Sequence, residues 1–336
     1  MIKEAIAKLV ERKDLTRDEM RKAVEEIMSG EALPTQIASF LTALRMKGET
    51  EEEISGAVEI MRKFAVKVEV DSEIIFDTCG TGGDGLHTLN ISTISSFVIA
   101  GGGVTVAKHG NRSVSSRCGS ADLMEALGIN LEVDKAVVER CLKEIGMGFL
   151  FAPKFHPAMK YATPVRREIG MRTIFNILGP LVNPAGATHQ LLGIYDKNLG
   201  EKIARVLGNL GSKHVLVVHG LDGLDEVSLS SETLIWEWCA GKLKEYKIAP
   251  EDFGIERSPL EKIKISDLET SKRIALEVLT GKEGSYYDIV VLNSGCGFYA
   301  ADRVKDIQEG IFLAKETIAK GLAKNKLEQL RRFTQS

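Results

Sequence analysis

Residues 77–84 read Asp-Thr-Cys-Gly-Thr-Gly-Gly-Asp and follow the short apolar run Ile74-Ile75-Phe76, so a strand is expected to empty into a loop with three glycines in four positions. Glycine there permits positive φ and lets backbone N–H groups approach an anion, and Thr78, Thr81 and Thr88 add hydroxyls suited to phosphate oxygens. Asn90-Ile91-Ser92-Thr93 then opens the apolar stretch Ile94 to Ala100. That polar start reads as a helix N-terminus, where unpaired N–H groups and the helix dipole favour negative charge. Asp84 narrows the ligand, because a carboxylate repels a phosphate unless it binds a ligand hydroxyl or a cation lies between them. The loop therefore suits a phosphorylated sugar or a metal–phosphate group. The competing reading is a plain strand-to-helix turn. Neither G-x-x-x-x-G-K-[ST] nor a G-x-G-x-x-G in a dinucleotide setting is present.

A second constellation follows the apolar run Val104 to Ala107. It comprises Lys108-His109-Gly110-Asn111-Arg112-Ser113-Val114-Ser115-Ser116-Arg117 and then Gly119-Ser120-Ala121-Asp122. Lysine offers a point charge and arginine a planar fork, both matched to phosphate or pyrophosphate. A solvated basic loop is the alternative, and Ser120 also fits the N-cap of a helix beginning at Ala121. Further along, Asp225-Glu226 follows the apolar run Val215 to Val218 and offers two carboxylates for a cation or, alternatively, a solvated turn. Arg166 can clamp a carboxylate or pair with Glu168.

The elements that must position these groups fall into two styles. Residues 1–70 read as short helices: Thr16 with Glu19 and Thr50 with Glu53 form capping boxes, and Pro34 starts the helix between them. They are expected to pack as a small bundle. From residue 71 onward apolar runs alternate with helical periods. Val104 to Ala107, Gly148 to Phe151, Gln190 to Ile194, Val215 to Val218 and Ile289 to Leu292 read as buried strands, with helices at 134–145 and 197–210, which implies a largely parallel sheet. Residues 226–248 read as an antiparallel hairpin with Trp236 and Trp238 as packing residues. The expected fold is thus α/β: a helical domain at 1–70 and a larger domain at 71–336 with a mostly parallel sheet, whose strand carboxyl ends gather the candidate loops. The proline-punctuated segment 157–180 interrupts the rhythm.

Composition narrows the class. Net charge is −3 over 336 residues, which disfavours a general nucleic-acid binder. The five cysteines form an odd set without C-x-x-C, which argues against a disulfide framework and for a reduced, cytoplasmic setting. The sequence starts on an amphipathic helical pattern without a signal h-region, and no apolar run reaches the length of a membrane span.

The two loops, D-T-C-G-T-G-G-D…N-I-S-T and K-H-G-N-R-S…G-S-A-D, closely resemble the anthranilate phosphoribosyltransferase family. So do Pro164 to Pro184 and Gly220-Leu221-Asp222-Gly223-Leu224-Asp225-Glu226, and the likeness runs in order over essentially the whole chain. It implies transfer of a phosphoribosyl group from phosphoribosyl pyrophosphate to anthranilate. The donor site it implies consists of Gly80, Gly83, Asp84, Thr88, Asn90, Ile91, Ser92, Thr93, Lys108, His109, Gly110, Asn111, Arg112, Ser113, Val114, Ser115, Ser116 and Ser120. Anthranilate is assigned to Gly80, Asn111 and Arg166, and a pair of Mg²⁺ ions per subunit to Ser92, Asp225 and Glu226. The resemblance also implies that 157–180 rejoins the helical domain across the cleft and that homodimers form through that domain. No strong base is required of His109, because an aromatic amine is neutral at pH 7 and attacks with its lone pair. Three rivals are a pyrimidine nucleoside phosphorylase, a nucleic-acid-binding relative of the same architecture, and a phosphoribosyltransferase for another aromatic acceptor.

Overall fold

The structure, a computed structural model, describes residues 1–112 and 118–335. Both expected capping boxes form: Thr16 starts α2 (Arg17–Ser29) and Thr50 starts α4 (Glu51–Phe64), each accepting from the N–H of the glutamate three residues on. With α1 (Ile2–Val10) and α3 (Pro34–Lys47) they bury Leu9, Met20, Ile27, Phe40, Leu44 and Val58 among themselves.

The larger part runs β1 (Phe76–Gly80), α5 (Ile91–Gly101), β2 (Val106–Gly110), α6 (Ser120–Ala126), α7 (Lys135–Ile145), β3 (Met147–Phe151), α8 (Ala152–Phe155), α9 (Thr163–Ile169), α10 (Phe175–Leu178), β4 (His189–Gly193), α11 (Gly200–Asn209), β5 (His214–Gly220), β6 (Thr233–Cys239), β7 (Lys242–Ile248), α12 (Leu268–Leu279), α13 (Ser285–Ala300), α14 (Ile307–Ala319) and α15 (Leu322–Gln335). The sheet order is β3-β2-β1-β4-β5-β6-β7, parallel through β5, with β6 and β7 added antiparallel. Strand order therefore reverses between β1 and β4, the switch point where open α/β sheets bind ligands beyond their carboxyl ends.

Alternating residues of each strand feed two cores. Leu216 and Val218 of β5 join the core under α5, α13 and α14, whereas Val215 and Val217 join a core continuous with the N-terminal helices through α11 and α4. Ala162, Val165, Phe175 and Leu178, from the segment 157–180, belong to the second core, so that segment packs on the bundle. Trp236 and Trp238 are packing residues, as read: a Cβ on Gly200 or Gly208 would collide with their rings.

Three sequence expectations need correction. Ile289 to Leu292 is not a strand but lies within α13, whose residues are buried around nearly the whole circumference between the sheet, α5 and α14. A helix apolar on all sides has no 3.6-residue stripe to distinguish it from a buried strand. Asp77 to Gly80, expected in a loop, form β1 itself, and Lys108 to Gly110 complete β2. Their polar types misled because the strands bury each group among polar partners rather than apolar neighbours: Asp77 accepts from Asn183 and the His109 N–H, and Lys108 donates to Thr78 and Ser92. Ser120 is not an N-cap; it is the first residue of α6, after Gly119.

Candidate active site

The glycine loop leaves β1 through Gly82, Gly83 and Gly85, all at positive φ (63°, 86° and 74°). It is tied to β4 by Thr81 N–H donating to the Gly193 carbonyl (2.8 Å) and Tyr195 N–H donating to Thr81 Oγ1 (3.2 Å). Gly80 and Gly193 are direct partners across the β1–β4 pair. A Cβ on Gly193 would lie 1.6 Å from the Asp225 carbonyl oxygen, and one on Gly80 would lie 2.7 Å from Asp225 Oδ2. The loop after β5 thus rests directly on two strand ends that lack side chains, and this seats its carboxylates at the switch point.

There Asp225 meets Asp84 carboxyl to carboxyl, with the Gly82 N–H as its backbone donor. Burial, then the Asp84 and Glu226 charges, push the Asp225 carboxyl well above its ordinary range. Glu226 Oε1 accepts from Ser92 N–H at the start of α5 (3.1 Å). Burial raises the Glu226 carboxyl to about 7, with Lys108 opposing. Lys108 is 1% exposed and donates from Nζ to the Thr78 carbonyl (2.6 Å) and Ser92 Oγ (3.3 Å). Burial lowers its pKa, while Asp77, Cys79 and Glu226 hold it up.

Beneath these groups, side chains link β1 to β2. Asp77 accepts from His109 N–H (3.1 Å) and from Asn183 Nδ2 (2.8 Å), which also donates to the Ala107 carbonyl (2.8 Å). His109 Nδ1 lies 3.1 Å from the Gly179 carbonyl, which selects the Nδ1–H tautomer, and Nε2 is buried without a partner among the described residues. Burial first, then His156 with its ring centroid 5.0 Å away, lowers His109 to about 3, so the ring is neutral. Asn111 N–H donates to Ser120 Oγ (3.2 Å), and Gly110 has no room for a Cβ beside Ser120 and Phe149. Arg112 is paired with Asp122 and Glu125 and stacked over Phe151. Ser113, Val114, Ser115 and Ser116 lie outside the described residues.

The remaining candidates frame the loop. Thr88 bridges to Lys264. Asn90 donates to the Cys118 carbonyl (3.0 Å) and accepts from Ser271 Oγ (2.9 Å), joining both loops to α12. Ile91 and Thr93 are buried in α5, and the hydroxyls of Thr78 and Thr93 have no partner among the described residues.

Half-buried Arg166 of α9 lies over the Phe175 ring (5.4 Å) and, among the described residues, has no carboxylate partner; the pair with Glu168 does not form. Burial alone lowers its pKa. Arg172 donates to the Gly83 carbonyl and stacks on Tyr195 at 4.2 Å. It also lines an open pocket of about 460 Å³ with Arg45, Lys197 and His219. Sequence reading assigned no site role to Asp77, Asn183, Gly193 or Arg172. Asp77, Asn183 and Arg172 stood inside the quoted motifs, whereas Gly193 gave no local signal.

Two family models match: the glycosyl transferase helical bundle domain over residues 3–65 and the glycosyl transferase a/b domain over residues 72–324. The anthranilate phosphoribosyltransferase of Persephonella marina is 54% identical over 336 residues, covering 99% of both chains. The solved enzyme of that name from Thermus thermophilus superposes with a TM-score of 0.94 at 42% identity, over 99% of each chain. The Saccharomyces cerevisiae enzyme in complex with phosphoribosyl pyrophosphate and Mg superposes at 0.92 with 30% identity, over 99% of this chain and 98% of that one. The same yeast enzyme is also known with 4-fluoroanthranilate bound (TM-score 0.90, 29% identity, 99% and 98% coverage).

Proposed function

Because the chain belongs to the anthranilate phosphoribosyltransferase family, we propose that its cleft transfers the 5-phosphoribosyl group of phosphoribosyl pyrophosphate to the amine of anthranilate. The products are N-(5-phosphoribosyl)anthranilate and pyrophosphate, the second step from chorismate to tryptophan. The observation that carries the reading is the crowding of Asp84, Asp225 and Glu226 at the glycine loop, with the Asp225 and Glu226 carboxyls pushed towards protonation. Such a cluster fits a divalent cation and an anionic ligand together. Ser92, Asp225 and Glu226 would hold Mg²⁺, a pair of ions per subunit, and Mg²⁺ supplies neutralisation of the pyrophosphate leaving group.

The chain's own groups position the rest. Gly80, Gly83, Asp84, Thr88, Asn90, Ile91, Ser92 and Thr93 cradle the donor, and the run Lys108 to Ser116 with Ser120 is assigned to the same donor site. Lys108 balances the carboxylates from below. The N–C1 bond forms as the C1–O bond to pyrophosphate breaks, and the amine loses its proton after attack. Arg166, a cation without a counter-ion among the described residues, clamps the anthranilate carboxylate beside Gly80 and Asn111. Neutral His109 lines the acceptor side rather than acting as a base. The helical domain, 1–70 with 157–180, faces the 71–336 domain across the site, and dimers form through it; exposed Val10, Leu33 and Met46 support this. Five unbridged cysteines suit the cytoplasm, and among the described residues no helix is long and apolar enough to cross a membrane.

The test is the fluorescence of anthranilate in a complete mixture with phosphoribosyl pyrophosphate and Mg²⁺. Consumption with stoichiometric pyrophosphate release, absent when any component is omitted, is the expected result. No consumption, or phosphorolysis of uridine or thymidine instead, overturns it.

A further inference from the structure

A second cluster of metal-ligating side chains lies at the opposite end of the same strands. Glu237 and Cys239, two apart on β6, share one face, and the antiparallel register sets His214 of β5 opposite Cys239. One ligand atom from each of the three lies within 4.8 Å of the others. The His214 side chain is 2% exposed; its Nδ1 sits 2.6 Å from Asp302 Oδ1, and its Nε2 faces Glu237 Oε1 at 3.2 Å without hydrogen-bond geometry. Asp302, at φ 51°, is also contacted by His189 Nε2 (3.1 Å), and Tyr299 donates to Glu237 Oε1 (2.8 Å). From His214 to Gly220, β5 carries the chain about 20 Å from this cluster to the carboxylate site, at about 3.3 Å per residue.

We propose that His214 Nε2, a Glu237 carboxylate oxygen and Cys239 Sγ form a Zn²⁺ site, with Asp302 as a positioning residue and water in the fourth position. Imidazole, thiolate and carboxylate are zinc donors, and the thiolate argues against Mg²⁺, which takes oxygen ligands. The Asp302–His214 contact is the carboxylate–histidine arrangement that fixes a metal-bound imidazole, leaving Nε2 for the ion. Protons on Nε2 and Sγ leave to solvent on binding. The ion joins β5 to β6, far from the cleft, so its effect is on stability rather than turnover.

Co²⁺ serves as a spectroscopic probe, added to the full chain in excess Mg²⁺ so that the carboxylate site is already filled. The expected result is equimolar uptake with a thiolate-to-cobalt charge-transfer band. The band is lost in Cys239→Ser and kept in Cys118→Ser. Asp302→Asn weakens uptake about 10–100-fold. Zn²⁺ raises the Tm of the unaltered chain but not that of Cys239→Ser, whose transferase rate is unchanged. No band in the unaltered chain, or a band that survives in Cys239→Ser, overturns the proposal, and neither outcome bears on the transferase reading.

Discussion

The two sides of the cleft are built in opposite ways. On the sheet side the cation Lys108 already has partners in Thr78 and Ser92 with Asp77 and Glu226 as opposing charges, and Asn183 ties Asp77 to Ala107, while Asp225 rests against the like-charged Asp84. On the helical side Arg166 has an aromatic ring beneath it and, among the described residues, no anion. A side with internal counter-charges is preorganised and needs a ligand only to relieve its surplus of carboxylates. A side with a bare guanidinium needs the ligand to supply the missing charge. The first suits a cation with a polyanionic donor, the second a monocarboxylate acceptor.

The sharpest way to break the sheet side is to unseat its carboxylates without touching them. Gly193→Ala places a Cβ where the Asp225 carbonyl now sits, and turnover is expected to fall about 10³-fold while circular dichroism keeps the fold. A smaller fall, about 10²-fold with a raised Mg²⁺ requirement, is expected for Asp225→Ala with Glu226→Ala, read from initial rates across a Mg²⁺ titration. Unchanged rates in either case would remove the carboxylates from the mechanism.

The same carboxylates give a pH signature. Glu226 is raised from 4.5 to about 7 in the folded chain, so the fold favours its protonated form. Metal-free stability should therefore fall as pH rises from 4.5 through 7, and below 4.5 this group contributes no such dependence. The Tm increase given by Mg²⁺ is then expected to be larger at about pH 8 than at about pH 5; equal increases would contradict the surplus-charge reading. The smallest effect is expected at His109. An imidazole held near 3 is no base at neutral pH, so His109→Gln should lower kcat less than about tenfold and leave the pH–rate profile in place.

Much of the sheet side was legible in the sequence because its chemistry is local. Three glycines beside Asp84 announce a loop at a strand end and Asp225-Glu226 after an apolar run announces another, whereas Lys108-His109 after an apolar run belongs to the strand itself. What stayed hidden depends on register or on long-range approach. Gly193 matters only because it pairs with Gly80 beneath the Asp225 backbone. Arg172 matters because it reaches Gly83 across 89 residues of sequence. Asp77 and Lys108 looked like loop residues because burying a charged group is costly unless polar partners meet it, and a linear reading does not show that Asn183 meets Asp77 or that Thr78 and Ser92 meet Lys108. Helix α13 was mistaken at 289–292 because complete burial erases the period that marks a helix.

The measurement that tests the division most directly is steady-state kinetics of Arg166→Ala with both substrates varied. Losing charge-assisted hydrogen bonds worth about 1.5–3 kcal/mol should raise the anthranilate KM about 10–100-fold. The KM for phosphoribosyl pyrophosphate should stay where it is. If both constants rise together, or only the donor constant moves, Arg166 does not clamp the acceptor and the two sides of the cleft are not separate halves of the site.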